Sequence, residues 1–579
     1  MAVRVRVPLA APYVNTILMR KINILAFSAS TLIILSSCSS KLGALSPDNF
    51  VVAPDPLEAR GGQVSATING TFPEKYMKKK AVVTVIPELR YGDGQVAQGL
   101  ASTFQGEKVK DNNQTISYRL GGKYNMKTSF DYVPEMLQSD MYLTFDAKVG
   151  KKSVKVPAVK VATGVLATSE LYKQALLGDG ACIAPDTFQR VQTQKQEASV
   201  KFLVNQAILR QSELKNNSVQ EFVKLLKNIQ ADQEKLNIKN VEVSAYASPE
   251  GGFSYNEKLA NKRKDVSEDY VKQQLKGNKM NADIDARYTA EDWEGFQQLV
   301  QASNIQDKDV ILRVLSMYKD PEEREKQIRN LSEGFRELAD QVLPELRRAR
   351  MVINYDIVGR TDEQIIQQYA ADPKQLSNEE LLYAAALVDD ASKKEEIYKA
   401  TTLYCPNDYR AFNNLAALEL NKGNVEKAKS YIEQAKRVNA KAPEAFANEA
   451  FINLTNGNTQ DAENALSRAI GANGYDYMAG VLSIAKGDYI QAERFLAGTK
   501  TNNAGLAHLL NNNLQDAISA LDAVKSPTAI TSYIHAIVAA HNGNKFATSS
   551  YLQEALEKDP TLKAYSDKDL ELSILKGNQ

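Results

Sequence analysis

The sequence predicts a multidomain α+β chain. An N-terminal β-sandwich-like domain is followed by a βαβ domain and a C-terminal α-solenoid of helical repeats. Three observations carry this. Residues 46–165 alternate apolar and polar side chains in short runs separated by turn residues. Residues 195–358 pass from strand pattern to amphipathic helix and back. From residue 377 to 568, Gly-Asn and Gly-Asp pairs punctuate helical segments, with two of them 34 residues apart.

The N-terminus reads as a processing segment. Residues 1–18 do not fit the basic start of a secretory signal, which points to Met19 as the initiator and to an upstream mis-assigned start. Met19-Arg20-Lys21 lead into an apolar run from Ile22 to Leu35, and Leu35-Ser36-Ser37-Cys38 closes it. Two cations, a short apolar stretch and small residues before the cut are the three parts of a signal peptide, here residues 1–37. The run is shorter than the roughly 20 residues of a spanning helix, and Ser28, Ser30 and Thr31 interrupt it.

The cysteine that ends this segment resembles the lipobox of bacterial lipoproteins. The resemblance implies that Cys38 carries a diacylglyceryl thioether and, after cleavage, a further acyl chain of the palmitate kind. Several chains together hold a membrane that one alone binds only marginally. The alternatives are an ordinary signal or a single anchor helix, but the Ala-x-Ala-like pattern of ordinary cleavage sites is absent. Residues 38–45 then form a lipidated linker. Residues 39–43 carry no acidic run, so the expected location is the outer membrane, facing the periplasm.

About 540 of the 579 residues survive such cleavage, enough for three or four domains. Lys+Arg 71 against Asp+Glu 70 leaves a formal charge of +1, which does not indicate a nucleic-acid partner. Two cysteines remain, Cys182 and Cys405. They could pair in an oxidising periplasm, but they fall in different predicted domains, and two buried thiols is the alternative. His508, His535 and His541 have no Cys or acidic partner at ligand spacing, so no metal site or cofactor is expected.

Within 46–165, Val64-Ser-Ala-Thr-Ile68 and Thr115-Ile-Ser-Tyr118 alternate as half-buried strands do, while Val82-Val-Thr-Val-Ile86 is a continuous run suited to a buried one. Tyr142–Phe145 and Val154–Val156 flank Gly150-Lys151-Lys152, a hairpin signal. The domain is a spacer or a binding module. Residues 166–194 read as a linker.

The middle domain opens with a strand at Ser199–Leu203. A helix follows, with Ser218 as N-cap and Val219, Phe222, Val223, Leu226 and Ile229 on one face. A second strand, Val241–Tyr246, runs into the turn Ser248-Pro249-Glu250-Gly251-Gly252 and a helix from about Tyr255 to Leu275. Tyr255, Asn256, Leu259, Ala260 and Arg263, together with Leu346-Arg347-Arg348-Ala349-Arg350-Met351-Val352-Ile353, resemble the OmpA C-terminal-like family over residues 195–358, with a helical insertion at about 297–343.

That resemblance implies a peptidoglycan-binding fold in which Arg263 grips a stem-peptide carboxylate through two parallel hydrogen bonds. N–H groups of the helix start near Tyr255 and Asn256 would add to the anion site. Where the family has an aspartate for the ammonium, this chain has Ser248, a departure that Glu250 could restore from two residues on. Arg350 either supports the pocket or pairs on the sheet surface. The resemblance implies either wall binding or the fold without it.

Residues 359–376 read as a second linker, 377–568 as the repeats and 569–579 as a tail. Gly423-Asn424, Gly457-Asn458, Gly487-Asp488 and Gly543-Asn544 share one setting, with a degenerate copy around Asn512. Ala428, Ala462 and Ala492 recur at one position after these turns, and Phe412 and Phe446 at one before them. This is similar to tetratricopeptide (TPR) repeats, with a weak further unit from Asn378 to Pro406. A solenoid of this kind leaves its concave face open to a peptide or partner helix. Tyr475, Tyr477 and Tyr489 are groove aromatics or core residues of the helical pairs.

The expected function is a non-enzymatic envelope scaffold: lipid at Cys38, a peptidoglycan stem peptide at the OmpA-like domain, and a protein partner in the TPR groove. The alternative is a secretion or surface-assembly accessory lipoprotein that has lost the wall contact. No nucleophile elbow, phosphate loop or metal motif supports an enzyme, and Cys405-Pro406 has no nearby histidine.

Overall fold

The computed structural model describes residues 42–576, apart from 178–179, 306–307 and 331. The signal peptide and Cys38 lie outside the described residues. The chain divides into two compact units, one built from the chain up to Pro185 and from Thr401 onward, the other from Asp186–Ala400. The β-domain and the helical repeats, separate in the sequence reading, therefore belong to one unit. Among the described residues no helix is long and apolar enough to cross a membrane.

In the first unit, two sheets enclose a common core. One runs Phe50–Ala53, Gln63–Phe72, Leu57–Arg60, Val165–Leu166, with Gly122–Asp131 also on Gln63–Phe72. The other is ordered Lys152–Lys155, Ser139–Val149, Ala81–Tyr91, Ser102–Gly106, Gln114–Ile116. Val64, Ile68, Phe72, Val83, Val85, Leu89 and Leu143 fill the space between them. The expected hairpin is present, with Lys152 opposite Val149. Val82–Ile86 differs from expectation: burial alternates along the strand, because only Val83 and Val85 face the core while Val82, Thr84 and Ile86 are half-exposed.

The repeats form five helical hairpins: Tyr409–Asn421 with Val425–Val438, Pro443–Thr455 with Thr459–Arg468, Tyr475–Ala485 with Tyr489–Leu496, Asn502–Leu510 with Leu514–Asp522, and Ala529–His541 with Lys545–Lys558. Each turn needs one left-handed residue, supplied by Gly423, Gly457, Gly487 and Gly543, and by Asn512 at φ 62° in the degenerate copy. Five residues later the chain places Ala428, Ala462, Ala492, Ala517 and Thr548, all fully buried where paired helices approach. The weak unit is also a helix pair, Asn378–Ala386 and Ala391–Tyr404.

The second unit is built on a four-stranded sheet in the order Val191–Lys201, Arg348–Val358, Leu236–Tyr246, Asp283–Thr289. Only the last pairing is parallel. Helices Asn217–Ala231 and Phe253–Gly277 place Phe222, Leu226 and Val271 against Val200, Val243 and Met351. The strand–helix alternation is thus as expected, but its first strand begins four residues before the predicted boundary. The N-cap of Asn217–Ala231 is Asn216, whose side chain accepts from the Val219 N–H at 2.9 Å. Ser218 instead donates to Asn216 and accepts from the Ser199 N–H. The insertion comprises helices from Trp293–Ala302 to Leu343–Leu346 and has a core of its own around Phe296, Val300, Ile311 and Leu338.

Candidate functional site

The expected linker 166–194 is not free chain. Thr168–Leu171 and Tyr172–Leu176 are helical turns, and the second packs against the first helices of four successive hairpins, from Pro443–Thr455 to Ala529–His541. Leu171, Tyr172, Ala175 and Leu176 join the apolar core of the repeats, and the Tyr172 hydroxyl donates to the Leu454 carbonyl at 3.1 Å. The concave face, expected to be open, carries the chain's own residues 168–177 and 180–185. The physical reason is the apolar content of that segment, whose Leu171, Tyr172, Ala175 and Leu176 are buried in the core of the repeats.

From Gly180 the segment is extended, with Gly180, Cys182 and Ala184 buried and Ala181 and Ile183 half-buried between them. Four asparagines grip its main chain. Asn448 accepts from the Cys182 N–H at 2.7 Å and donates to the Cys182 carbonyl at 2.9 Å. Asn413 donates to the same carbonyl at 3.0 Å. Asn414 accepts from the Ala184 N–H at 2.7 Å and donates to the Ala184 carbonyl at 3.0 Å. Asn473 donates to the Ile183 carbonyl at 3.3 Å and Arg410 to that of Pro185 at 3.4 Å. Every carbonyl from Cys182 to Pro185 therefore has a side-chain donor from the repeats.

Buried amides are costly unless paired, so Asn413 and Asn448, which are fully buried, are explained by this clamp. Sequence reading missed them. The available signal was their separation, one residue more than a repeat, on helices otherwise lined with Ala and Leu. Tyr477 is a groove residue: a Cβ on Gly180 would lie 2.8 Å from its ring, and Asn503 donates to its hydroxyl at 2.9 Å. Tyr489 is buried beneath the Arg60 guanidinium, 4.6 Å from the ring centroid, and Tyr475 packs at the edge of the core.

In the second unit, Arg263 is 1% exposed. Its guanidinium donates to the carbonyls of Gln206 at 3.0 Å, Tyr246 at 2.9 Å and Leu203 at 3.2 Å. Burial, with the nearby Arg347 charge, pulls its pKa down to about 10. Ser248 donates to Glu250 at 2.7 Å, and Glu250 accepts two bonds from Arg347 at 2.8 and 2.9 Å. Burial pushes Glu250 upward, but Arg347 and Ser248 outweigh it and hold the carboxylate below its usual range.

Asn256 braces the turn by donating to the carbonyls of Ser248 and Gly251. The N–H groups of Tyr255 and Asn256, expected to face an anion, donate to the Gly252 carbonyl inside the first helical turn. Arg350 is not drawn into the pocket; it pairs with Glu197 through two bonds of 2.7 Å on the neighbouring strand. Arg347, the partner of Glu250, was not singled out by sequence.

Each histidine meets a carboxylate from elsewhere in the chain, which spacing in sequence does not reveal: His508 and Glu493 at 2.8 Å, His535 and Asp522 at 3.4 Å, His541 and Glu571 at 2.7 Å. Glu493, His508 and Asp516 are the one such trio among the described residues close enough to share a cation. The Glu493 carboxylate already accepts from His508, Asn511 and Asn513, an arrangement that fastens the Asn512 turn. Cys182 and Cys405 do not pair, and burial pushes the Cys182 thiol up to about 12.

At the end of the repeats, residues 570–575 of the expected tail form a helical turn packed on the last hairpin. Glu571 accepts from Thr168 and faces His541, and Tyr533 donates to Asp569 at 2.8 Å. Burial raises the Asp569 carboxyl to about 6.

No family model matches the chain, and no curated protein matches it. Among solved structures it is similar to a tetratricopeptide repeat protein from Parabacteroides merdae, at 12% identity and a TM-score of 0.27, over 44% of this chain and all of that one. It is also similar to YrrB, described as a TPR protein with an unusual peptide-binding site, at 17% identity and a TM-score of 0.22, over 30% of this chain and 99% of that one. A third is PilW, a type IV pilus biogenesis factor, at 16% identity and a TM-score of 0.24, over 37% of this chain and 96% of that one. These neighbours are TPR proteins or helical-repeat relatives, and at such scores the likeness extends no function to this chain.

Proposed function

We propose that this chain is a non-enzymatic, lipid-anchored scaffold of the bacterial envelope, facing the periplasm from the outer membrane, that holds a protein partner on its helical repeats. The observation that carries the reading is the asparagine clamp. Amide side chains aimed at main-chain N–H and C=O groups suit an extended polypeptide, not a small molecule. The anchor rests on residues 19–38 of the sequence. A non-enzymatic role is in keeping with a Cys182 thiol that burial holds in its neutral form.

Within this reading the OmpA-like region is a folded spacer whose pocket is satisfied internally by the Glu250–Arg347 pair and by the carbonyls on Arg263. A second reading, a tether to peptidoglycan, is favoured by the convergence of Ser248, Glu250 and Asn256 on one turn near Arg263. It requires Arg263 to exchange its carbonyl partners for a stem-peptide carboxylate.

Two measurements decide. A photo-crosslinking amino acid at the exposed positions Ile470, Ile490 and Phe546 is expected to give discrete adducts with a partner in cells. Absence of adducts from all three overturns the scaffold. Sedimentation with purified peptidoglycan is expected to leave the mature chain in the supernatant, and pelleting would instead establish the tether.

A further inference from the structure

The clamp recognises main chain and excludes bulk. None of the bonds that hold residues 182–185 reaches a side chain of the segment. What the groove does read is size at alternate positions. A Cβ on Gly180 would come 2.8 Å from Tyr477, 3.1 Å from Phe451 and 3.2 Å from Leu176, so only glycine sits there without a shift. Cys182 lies against Gly474, where an added Cβ would be 2.8 Å from the sulfur. Ala184 completes the inward row, and Ala181 and Ile183 face partly outward. This is the period-two pattern of an extended chain held on one side.

The two parts of the segment are held differently. Residues 171–176 bury Leu171, Tyr172 and Leu176, large apolar groups that fix the helical turn in the groove. Residues 180–184 bury only glycine, cysteine and alanine side chains, so their hold depends on hydrogen bonds that water or another peptide can replace. Beside Tyr477, the Asn503 side chain donates to the tyrosine hydroxyl, while its own Oδ1 is buried without a hydrogen-bond partner. An acceptor in that state next to a peptide groove is a position at which a longer extended ligand could supply an N–H.

We infer that the groove formed by Asn413, Asn414, Asn448 and Tyr477 is an exchangeable peptide site, occupied in cis by residues 180–184. Its ligand class is an extended peptide with glycine at the first inward position and small residues at the next two. The inference rests on the protein-binding reading of the repeats and names the ligand chemistry. The resident segment sets the specificity and competes with whatever binds in trans, so occupancy by a partner releases the chain around Cys182.

Cys182 reports that release. In the full mature chain with Cys38→Ser and Cys405→Ser it is the single thiol, since the sequence has three cysteines. The probe is a synthetic peptide of residues 180–187 with alanine in place of the cysteine. At saturating peptide the alkylation rate of Cys182 is expected to rise about tenfold, as the open population grows. The same peptide with leucine in place of Gly180 and Ala184 is expected to leave the rate unchanged.

Asn413→Ala, with an unchanged far-ultraviolet circular dichroism spectrum, is expected to raise the rate without peptide. An alkylation rate indifferent to the probe peptide overturns the inference, as does an Asn413→Ala chain whose thiol stays as protected as before. Crosslinked partner adducts that persist alongside a protected Cys182 would keep the scaffold and remove only the exchange.

Discussion

Arg263 meets three carbonyl oxygens with the three nitrogens of one planar fork, a spread that the compact ammonium of a lysine does not reproduce. Arg263→Lys should therefore lower the stability of the second unit by about 3 kcal/mol, because buried acceptors lose their donors. The measurement is the denaturant midpoint of that unit. An unchanged midpoint would mean that the carbonyls are served some other way. Sequence pattern placed this arginine on the correct helix facing the correct turn. It could not tell a guanidinium that waits for a ligand from one that holds its own loop, since both roles call for a buried arginine beside Ser248 and Glu250. The difference lies in the path of residues 203–206, whose carbonyls turn inward, and nothing in Leu203-Val204-Asn205-Gln206 marks that path except an Asn205 at φ 55°.

The helical hairpins were the most legible elements, for a reason visible in one of them. A left-handed turn residue followed five positions later by a small buried one is a local requirement, and the Asn512 copy meets it with Asn512 and Ala517 in place of glycine and alanine. The segment across the concave face was illegible because the groups that clamp it are 225 to 290 residues away, and short runs such as Ala-Cys-Ile-Ala carry no period of their own. The fourth strand, Asp283–Thr289, was passed over for a related reason: as an edge strand with exposed Asp283, Asp285 and Arg287, it buries too little to show an apolar run. At Gly474 the element and the segment meet. Its φ of 96° and the nearby Cys182 sulfur predict that Gly474→Ala costs about 1–3 kcal/mol. Adding Cys182→Ala should recover part of that loss in a double-mutant cycle, and strictly additive effects would place the whole cost in the backbone.

Across the first unit as a whole, the sandwich, the segment and the last hairpin are joined at one titratable cluster. Tyr565 packs on both apolar cores, Asp569 and Glu571 lie near it, and His541 pairs with Glu571. Asp569, raised by burial to about 6, binds its proton more tightly in the folded state than in the unfolded one. Its contribution is fully present below about pH 4 and lost as pH climbs to 6, a change of about 3 kcal/mol. His541, raised by its hydrogen bond to Glu571, contributes below about pH 6.5 and loses that contribution above it. Glu571 is lowered and acts with the opposite sign, so the informative quantity is a difference. The melting temperature of wild type relative to Asp569→Asn should fall between pH 4 and 6, and a flat difference would show that Asp569 is not held protonated.

The first unit is assembled from two stretches of chain with residues 186–400 between them. That interruption sets an order in time. When Leu171, Tyr172 and Leu176 leave the ribosome, the helices that will cover them have yet to be made, and at about 5–20 residues per second the wait lasts tens of seconds. Through that interval the nascent chain carries an uncovered apolar turn, whereas the strands of the sandwich all precede it and the inserted unit is one continuous stretch. The first unit therefore cannot close over that turn until the hairpins from Pro443 to Lys558 exist.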